Sequence, residues 1–218
     1  MDDYTVDKDG HVTLHKKTKA DNDRIIALGE KGKIDRGFLG LGKIKNNTIT
    51  VAKSVIGSKQ ENTTKDGIKY DTYTITGKEN GKAAFEFMAK NTGVEWGLTK
   101  VGDNSITNYL TTTHDPGKEV GGTELLHNPL IRASAYQGDD HSHPEGPWYP
   151  SSSSLPLGNP GRKQGDIGFA SMIERMYPGS NPVLRVYNVP DGTYFTYDSQ
   201  SWLPVELDPF EVIGTKKK

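Results

Sequence analysis

The sequence predicts a mixed α/β protein, because two segments of helical periodicity occur among short runs of alternating polarity. Ala, Phe and Met recur at helical spacing between residues 79 and 91, and Ile and Ala do so between residues 166 and 177. The other periodic runs are short and rich in Thr, Tyr, Val and Ile, which favours strands. We therefore expect a β-rich chain with two principal helices.

Residues 1–78 are expected to form a small β-rich segment. Two alternating runs joined by Asp9-Gly10 predict a hairpin from Tyr4 to Leu14, and a short strand follows near residues 21–28. The runs NTITVAKSVIG and IKYDTYTITG are also typical of strands, and the polar stretch SKQENTTKDG between them is interpreted as a loop. We divide the chain into this segment and a main domain, residues 79–218.

The main domain is expected to begin with the helix of residues 79–91, with Gly93 as its C-cap. Strands should follow at Glu95, in NSITNYLTTTHDP and in ASAYQ, and then come the second helix and the strands PVLRVYNV and GTYFTYD. The segments DGTYFTYDSQSWLPVE and PFEVIG are expected to complete the sheet, with Trp202 buried and the final lysines disordered.

Composition excludes several classes of function. The 27 Lys and Arg residues balance 28 Asp and Glu residues, so no basic field exists to attract nucleic acid. The absence of cysteine excludes disulfides, thiolate zinc sites and cysteine catalysis. No run approaches the ~18 apolar residues of a membrane span, and the N-terminus lacks the regions of a signal peptide. If the protein leaves the cell, another part of a longer chain is expected to export it; otherwise it is cytoplasmic.

His141 and His143 are the strongest candidates for a functional site. They lie two residues apart at the end of an expected strand, so both imidazoles should point to one face. Asp166 begins the second helix, from which its carboxylate could face the histidines. Two imidazoles and one carboxylate leave a fourth tetrahedral position for water, as catalytic zinc requires. Alternatively, Asp166 is only the N-cap of its helix.

These residues resemble the JAMM motif of JAB/MPN-type metalloproteases. The motif consists of an upstream Glu, then H-x-H-P, a Ser and an Asp, and this chain carries HSHP at residues 141–144, Ser151 and Asp166. A helix followed by Glu95 in VEWGL is similar to the Glu-bearing strand of the family. The resemblance extends from about Lys82 to Asp198, and it implies an MPN/JAB-like fold of the cytidine-deaminase-like class, a curved sheet flanked by the two helices.

The chain departs from the family at one point. In the family the Ser and the Asp are normally three residues apart, whereas here Lys163 precedes Asp166 by three. The serines 151–154 are separated from Asp166 by LPLGNPGRKQG. Such an insertion is tolerated in a surface loop, but it leaves open which of the four serines acts.

The resemblance also implies a chemistry. His141, His143 and Asp166 would bind zinc, Glu95 would act as general base and then general acid, and the Ser151 hydroxyl would stabilise the oxyanion. The reaction would be hydrolysis of an amide in a protein or peptide substrate. The bond is either a peptide bond or an isopeptide bond to a ubiquitin-like protein.

The β-rich segment, the long Ser/Pro/Gly loop and the lack of an export signal resemble the JAB-like toxin domains at the C-terminal ends of RHS-type bacterial polymorphic toxins. This resemblance implies an effector that a larger parent chain delivers and an immunity protein that binds it. The loop of residues 145–165, with Trp148 and Tyr149, is expected either to recognise substrate or to be tied down by its own aromatic side chains.

Other polar residues have weaker assignments. Either Asp139 or Asp140 should orient an imidazole N–H, with the other at the surface, since alternation sends only one toward the site. His114 and His127 are interpreted as capping or surface histidines, and His127 is the better candidate for substrate contact.

Two alternatives to a hydrolase remain. The altered Ser-to-Asp spacing would suit an MPN-like binding module that has lost its metal and its activity, for which Glu95→Gln would change nothing. The HSHP sequence could also belong to a metal site that is only structural, closed by a fourth protein ligand.

Overall fold

The computed structural model describes residues 2–19, 21–35, 44, 46–53, 55–56, 59–103, 105–132, 135–145, 149–151 and 165–201. Within these ranges the chain forms two sheets and four helices, which confirms the predicted mixed α/β class. The strands are β1 (Asp2–Val6), β2 (Val12–Lys16), β3 (Asn22–Ala27), β4 (Thr48–Ala52), β5 (Gln60–Thr63), β6 (Lys69–Thr76), β7 (Gly97–Val101), β8 (Thr107–Thr112), β9 (Tyr136–His143), β10 (Val183–Asn188) and β11 (Thr193–Tyr197). The helices are α1 (Lys78–Asn91), α2 (Gly121–Leu125), α3 (Pro129–Arg132) and α4 (Gly165–Met176).

The smaller sheet has the strand order β2-β1-β3-β4 and contains the predicted hairpin. In the turn between β1 and β2, the side chain of Asp7 accepts the backbone N–H groups of Asp9 and His11 at 3.0 and 2.9 Å. Gly10 has a φ of 79°, a left-handed conformation that glycine adopts without a steric cost. The Asp-Gly sequence therefore forms the turn that it predicts.

The larger sheet has the order β11-β10-β9-β7-β8-β6-β5. Strand β9 lies in its interior, parallel to β10 and antiparallel to β7. Strands β5 and β6 precede residue 79 in the chain and yet pair with each other and, through β6, with β8. The N-terminal segment thus contributes two strands to the sheet that carries the histidines, and the division between residues 78 and 79 stays a prediction.

The interpretation of SKQENTTKDG as a loop is wrong in part, because its centre forms strand β5. The side chains of β5 are mostly exposed and polar, since this strand lies at the edge of the sheet. Polar side chains are a common means of protecting such an edge from further pairing. An edge strand of this kind shows no apolar alternation, so hydrophobic periodicity does not detect it.

The two longer helices pack on opposite faces of the larger sheet. Helix α1 buries Phe85 and Met88 in a core that includes Tyr187 of β10. Helix α4 buries Ile173 in a second core that includes Val186, the residue before Tyr187. Successive residues of a strand point to opposite faces, so the predicted arrangement of a sheet between two helices is present.

The end of α1 differs from the prediction. Helix α1 is capped by Thr92, in an extended conformation, and not by Gly93. The hydroxyl of Thr92 donates a hydrogen bond to the carbonyl of Met88 at 2.9 Å and accepts one from the indole N–H of Trp96 at 2.9 Å. The N–H of Gly93 instead donates to the carbonyl of Lys8 at 2.7 Å, which ties this corner to the β1–β2 turn.

Several expectations concern residues outside the described ranges, including Trp148, Trp202 and the chain beyond residue 201. Tyr149 is described and is half-buried. None of the helices in the described part of the chain is long and apolar enough to cross a membrane.

Candidate metal centre

Strand β9 and helix α4 bring together the three residues predicted to bind metal. Asp166 lies in the first turn of α4, and its Oδ1 is 3.1 Å from Nε2 of His141. Its Oδ2 is 3.7 Å from Nε2 of His143, and the two Nε2 atoms are 3.2 Å apart. One ligand atom from each residue lies within 4.8 Å of the other two. Both histidines are buried and Asp166 is half-buried, so the three ligands converge below the surface.

The electrostatics of this group favour a cation. Burial opposes ionisation of Asp166, but attraction to His141 outweighs it and lowers the pKa of Asp166 to about 2. Burial likewise opposes protonation of His141, but the carboxylates of Asp166 and Glu95 raise its pKa to about 9. Because the surroundings stabilise a proton on this imidazole, they would also stabilise a metal ion in its place. The donor set of two nitrogens and one carboxylate oxygen suits zinc.

Ser151 and Asp166 are in contact even though a long insertion separates them. The hydroxyl of Ser151 accepts the backbone N–H of Asp166 at 3.3 Å, and the Ser151 N–H donates to Oδ2 of Asp166. Ser151 therefore has the position of a capping residue for α4, while the Asp166 carboxylate faces the histidines. A side chain on Gly165, which has a φ of 66°, would place its Cβ 2.6 Å from the Ser151 hydroxyl. The serines 152–154 lie outside the described residues.

Glu95 lies two residues before β7, which begins at Gly97 and not at Glu95 as expected from the sequence. Its N–H donates to the carbonyl of Asp115 at 2.9 Å, and its carbonyl accepts the Thr112 hydroxyl at 2.8 Å. Burial raises the pKa of its carboxyl to about 8. No hydrogen-bond donor in the described part of the chain contacts this carboxylate, so it is available to accept a proton.

A pocket of about 500 Å³ joins these groups. The metal-ligand group, Glu95 and Ser151 line it, and the segment of residues 116–123 forms the wall beside Glu95. Tyr197 closes part of the pocket with its ring edge-on to the His141 imidazole, at 5.9 Å between ring centroids. The pocket thus holds two candidate groups for proton transfer and oxyanion binding beside the three candidate metal ligands.

Either Asp139 or Asp140 was expected to orient an imidazole N–H and the other to lie at the surface, and the expectation of a surface position is wrong. Asp139 lies on the same face as His141 and accepts a hydrogen bond from the Thr99 hydroxyl at 2.6 Å. Asp140 points to the opposite face, but it is fully buried. It forms a two-point ion pair with Arg185, with both bonds at 2.8 Å. Helix α1 covers that face of the sheet, so alternation alone did not predict exposure correctly.

His114 and His127 occupy different environments. His127 is exposed, as expected, and does not line the pocket. His114 instead bridges two elements, because one ring nitrogen lies 2.9 Å from the Asp9 carbonyl and the other 2.9 Å from the Asp71 carboxylate. Its interpretation as a capping or surface histidine is therefore wrong.

Sequence analysis missed Glu119, which lies in the pocket wall. Its carboxylate accepts the backbone N–H groups of Gly121 and Gly122 at 2.6 and 3.3 Å. The available signal was an acidic residue two positions before a short helix, where negative charge is favourable.

Residues 73–171 match the family model described as JAB-like toxin 1. No curated protein and no solved structure matches the chain. The matched range contains Glu95, Ser151 and all three candidate metal ligands, and it covers the interior strands β7, β8 and β9 of the larger sheet. Residues 73–171 are therefore similar to JAB-like toxin domains.

Proposed function

We propose that this domain is a zinc-dependent hydrolase that cleaves an amide bond in a protein or peptide substrate. The observation that carries the proposal is the convergence of the three ligand atoms within 4.8 Å in a pocket that also holds Glu95. Neither a structural metal site nor a simple binding surface needs, beside the ligands, a carboxylate such as that of Glu95, which accepts no hydrogen bond from the residues that the structure describes. Hydrolysis does, because a proton must be removed from water and delivered to the leaving group.

His141, His143 and Asp166 would hold the zinc ion. When bound, it would supply a Lewis acid that makes water a nucleophile near neutral pH and polarises the substrate carbonyl. The ligand set has three protein donors, as in catalytic zinc sites, and the three atoms face a pocket and not a closed core.

Glu95 would transfer the proton. Its carboxylate Oε would accept a proton from the attacking water and then donate it to the nitrogen of the leaving amine. The raised pKa of Glu95, about 8 in the chain without metal, matches this function, because such a group can hold a proton between the two steps near neutral pH.

Ser151 would stabilise the negative charge that develops on the carbonyl oxygen. Its Oγ accepts the N–H of Asp166 and so keeps its own hydrogen for donation into the pocket. One donor of this kind typically contributes about 2.7–4 kcal/mol to the transition state.

The substrate would be a polypeptide, either at a peptide bond or at an isopeptide bond to a ubiquitin-like protein. The match to a toxin family supports the further proposal that the domain is an effector, secreted or delivered by a larger bacterial chain of the RHS type. A producing cell would then need an immunity protein, which would be the expected binding partner.

Metal content tests the proposal first. The purified chain should retain about one zinc ion after dialysis against a weak chelator, and Asp166→Ala should lose it. Asp66→Ala is a matched control, because Asp66 is an exposed carboxylate in the turn between β5 and β6. The retained metal would justify assays on peptide and isopeptide substrates. If zinc is not retained even after it is added back, the hydrolase proposal fails and a metal-free binding module becomes the better description.

A further inference from the structure

Two pairings across the larger sheet place Thr111, Gly97 and His141 in one row on the α4 face. Gly97 of β7 is opposite Thr111 on one side and opposite His141 on the other. Because Gly97 has no side chain, the row has a gap directly beside the metal ligand. In an ordinary sheet that gap would hold a side chain that packs against both neighbours.

The carboxylate of Glu119 fills the gap. A Cβ atom on Gly97 would lie 2.7 Å from Oε2 of Glu119 and 2.8 Å from the Thr111 hydroxyl oxygen, both closer than side-chain atoms approach. With any other residue at position 97, the Glu119 carboxylate or the Thr111 side chain would have to shift. A Cβ on Gly121 would also lie 2.6 Å from Oε1 of Glu119, so glycines enclose the carboxylate on two sides.

Hydrogen bonds hold the Glu119 carboxylate in place, and the charge of His141 acts on it. The N–H groups of Gly121 and Gly122 hold its two oxygens, so it cannot rotate freely. Burial raises the pKa of Glu119, while these N–H groups and the charge of His141 oppose that shift. Glu95 differs, because no donor among the described residues holds its carboxylate. Glu95 is therefore suited to proton transfer, and Glu119 to positioning.

His141 needs such a partner. Its Nε2 faces Asp166 and His143, so the second ring nitrogen remains for a contact that fixes the ring. Histidines that bind metal almost always donate their second ring N–H to a carboxylate, a carbonyl or water. Asp139 is a second carboxylate near this imidazole, and the Thr99 hydroxyl donates to one of its oxygens at 2.6 Å.

We propose that Glu119 is a positioning residue of the metal centre, which sets the orientation and electron-donating strength of the His141 imidazole from the gap above Gly97. The inference rests on the proposed metal site and assigns a residue beyond the JAMM pattern. Glu119 also attaches the pocket wall of residues 116–123 to the sheet, so one side chain links the wall to the ligand.

The test compares the full chain with Glu119→Gln, which removes the charge while its amide oxygen can still accept the Gly121 N–H. Zinc affinity is measured by competition with a chromophoric chelator, and the ligand field by the visible spectrum of the cobalt-loaded protein. Glu124→Gln is the matched control, since Glu124 lies in α2 outside the pocket lining. We expect Glu119→Gln to weaken zinc binding about 10- to 100-fold and to shift the cobalt spectrum, with the control unchanged.

Gly97→Ala tests the same contact from the opposite side, because its methyl group would displace Oε2 without changing any charge. Gly93→Ala is its control, since the nearest atom to that Cβ is 3.6 Å away. Gly97→Ala should also weaken zinc binding. If both Glu119→Gln and Gly97→Ala bind zinc within about twofold of the unaltered chain and give the same cobalt spectrum, the inference is wrong while the proposed function stands. A chain that binds no zinc at all would overturn the proposed function and the inference with it.

Discussion

Ser151 and Asp166 hold each other through two backbone-to-side-chain hydrogen bonds. The Ser151 hydroxyl accepts the Asp166 N–H at 3.3 Å, and the Ser151 N–H donates to the Asp166 carboxylate. Despite the insertion between the two residues, the start of α4 is therefore capped and the Asp166 carboxylate faces His141. The spacing in the sequence differs from that of the family, whereas the contact between the two residues has formed.

Ser151→Ala should lower the turnover number about 10²- to 10³-fold, because it removes the donor proposed for the oxyanion. It should also lower the free energy of unfolding by about 1 kcal/mol, because α4 loses its capping oxygen. Steady-state kinetics and thermal unfolding measure the two effects. Ser180→Ala is the control, since Ser180 is an exposed serine whose hydroxyl also bonds to backbone, at the Tyr177 carbonyl. A turnover number within twofold of the unaltered chain would leave Ser151 only a structural cap.

Glu95→Gln should change the pH dependence of stability in the metal-free chain. The folded state keeps a proton on Glu95 up to about pH 8, whereas an ordinary glutamate loses it near pH 4.5. The folded state therefore binds the extra proton, and its stability falls as pH rises through this window. The glutamine variant lacks this loss, so its melting temperature should exceed that of the parent by about 10 °C at pH 8 and match it near pH 4.5.

Circular dichroism melts in the presence of a chelator measure this difference, with Glu124→Gln as control. An equal difference at both pH values would mean that the effect is one of packing and not of ionisation. With zinc present, the same variant should keep its metal and lose hydrolysis, because Glu95 is proposed to move the proton and not to bind the ion.

Local geometry explains which parts of the site could be predicted. The convergence of His141 and His143 follows from their spacing of two on a strand, and the position of Asp166 follows from the start of an amphipathic helix. Glu119 could not be found in this way, because its role depends on the order of three strands that places Gly97 between Thr111 and His141. Nonlocal pairing of this kind leaves no periodic pattern in the sequence.

The same reason explains the errors in the fold. Strand β5 has polar, exposed side chains because it lies at an edge, and sequence patterns detect burial more readily than hydrogen bonding. One of Asp139 and Asp140 was expected at the surface, since alternation gives the face of a strand but not what covers that face. Asp140 lies on the face away from the site and is buried there. Helix α1 and the Arg185 side chain cover it.

His114→Asn should destabilise the chain more at pH 6 than at pH 9. The Asp71 carboxylate raises the pKa of His114, and the protonated ring donates to both Asp71 and the Asp9 carbonyl. This contribution is complete below the unfolded pKa of about 6.5 and is lost as pH rises through the higher folded value. Asparagine is chosen because it tolerates the φ of 59° at this position.

The expected loss at pH 6 is about 1.5–3 kcal/mol, as for a hydrogen bond to a charged group. Urea unfolding at the two pH values measures it, and His127→Asn is the control, since His127 is exposed. A loss that does not change with pH would show that the ring acts by packing, for which its stacking on His11 at 4.4 Å is the candidate contact.

Asp140→Ala should be among the most destabilising single changes in the larger sheet. Asp140 is fully buried and pairs with both Lys100 and Arg185, and burial lowers the pKa of Lys100 against the attraction of this carboxylate. Removal of the Asp140 carboxylate leaves the Lys100 and Arg185 cations without their counter-ion at the edge of the α1 core. Such a change typically costs about 3–5 kcal/mol of folding free energy. Arg185→Met should cost less, because Lys100 still neutralises Asp140 and the apolar chain fills the space of the arginine stem. Equilibrium unfolding of the two variants gives the comparison. If Asp140→Ala lowers the free energy of unfolding no more than Arg185→Met does, solvent reaches the two cations readily. The ion-pair network would then contribute little to holding β9 in place.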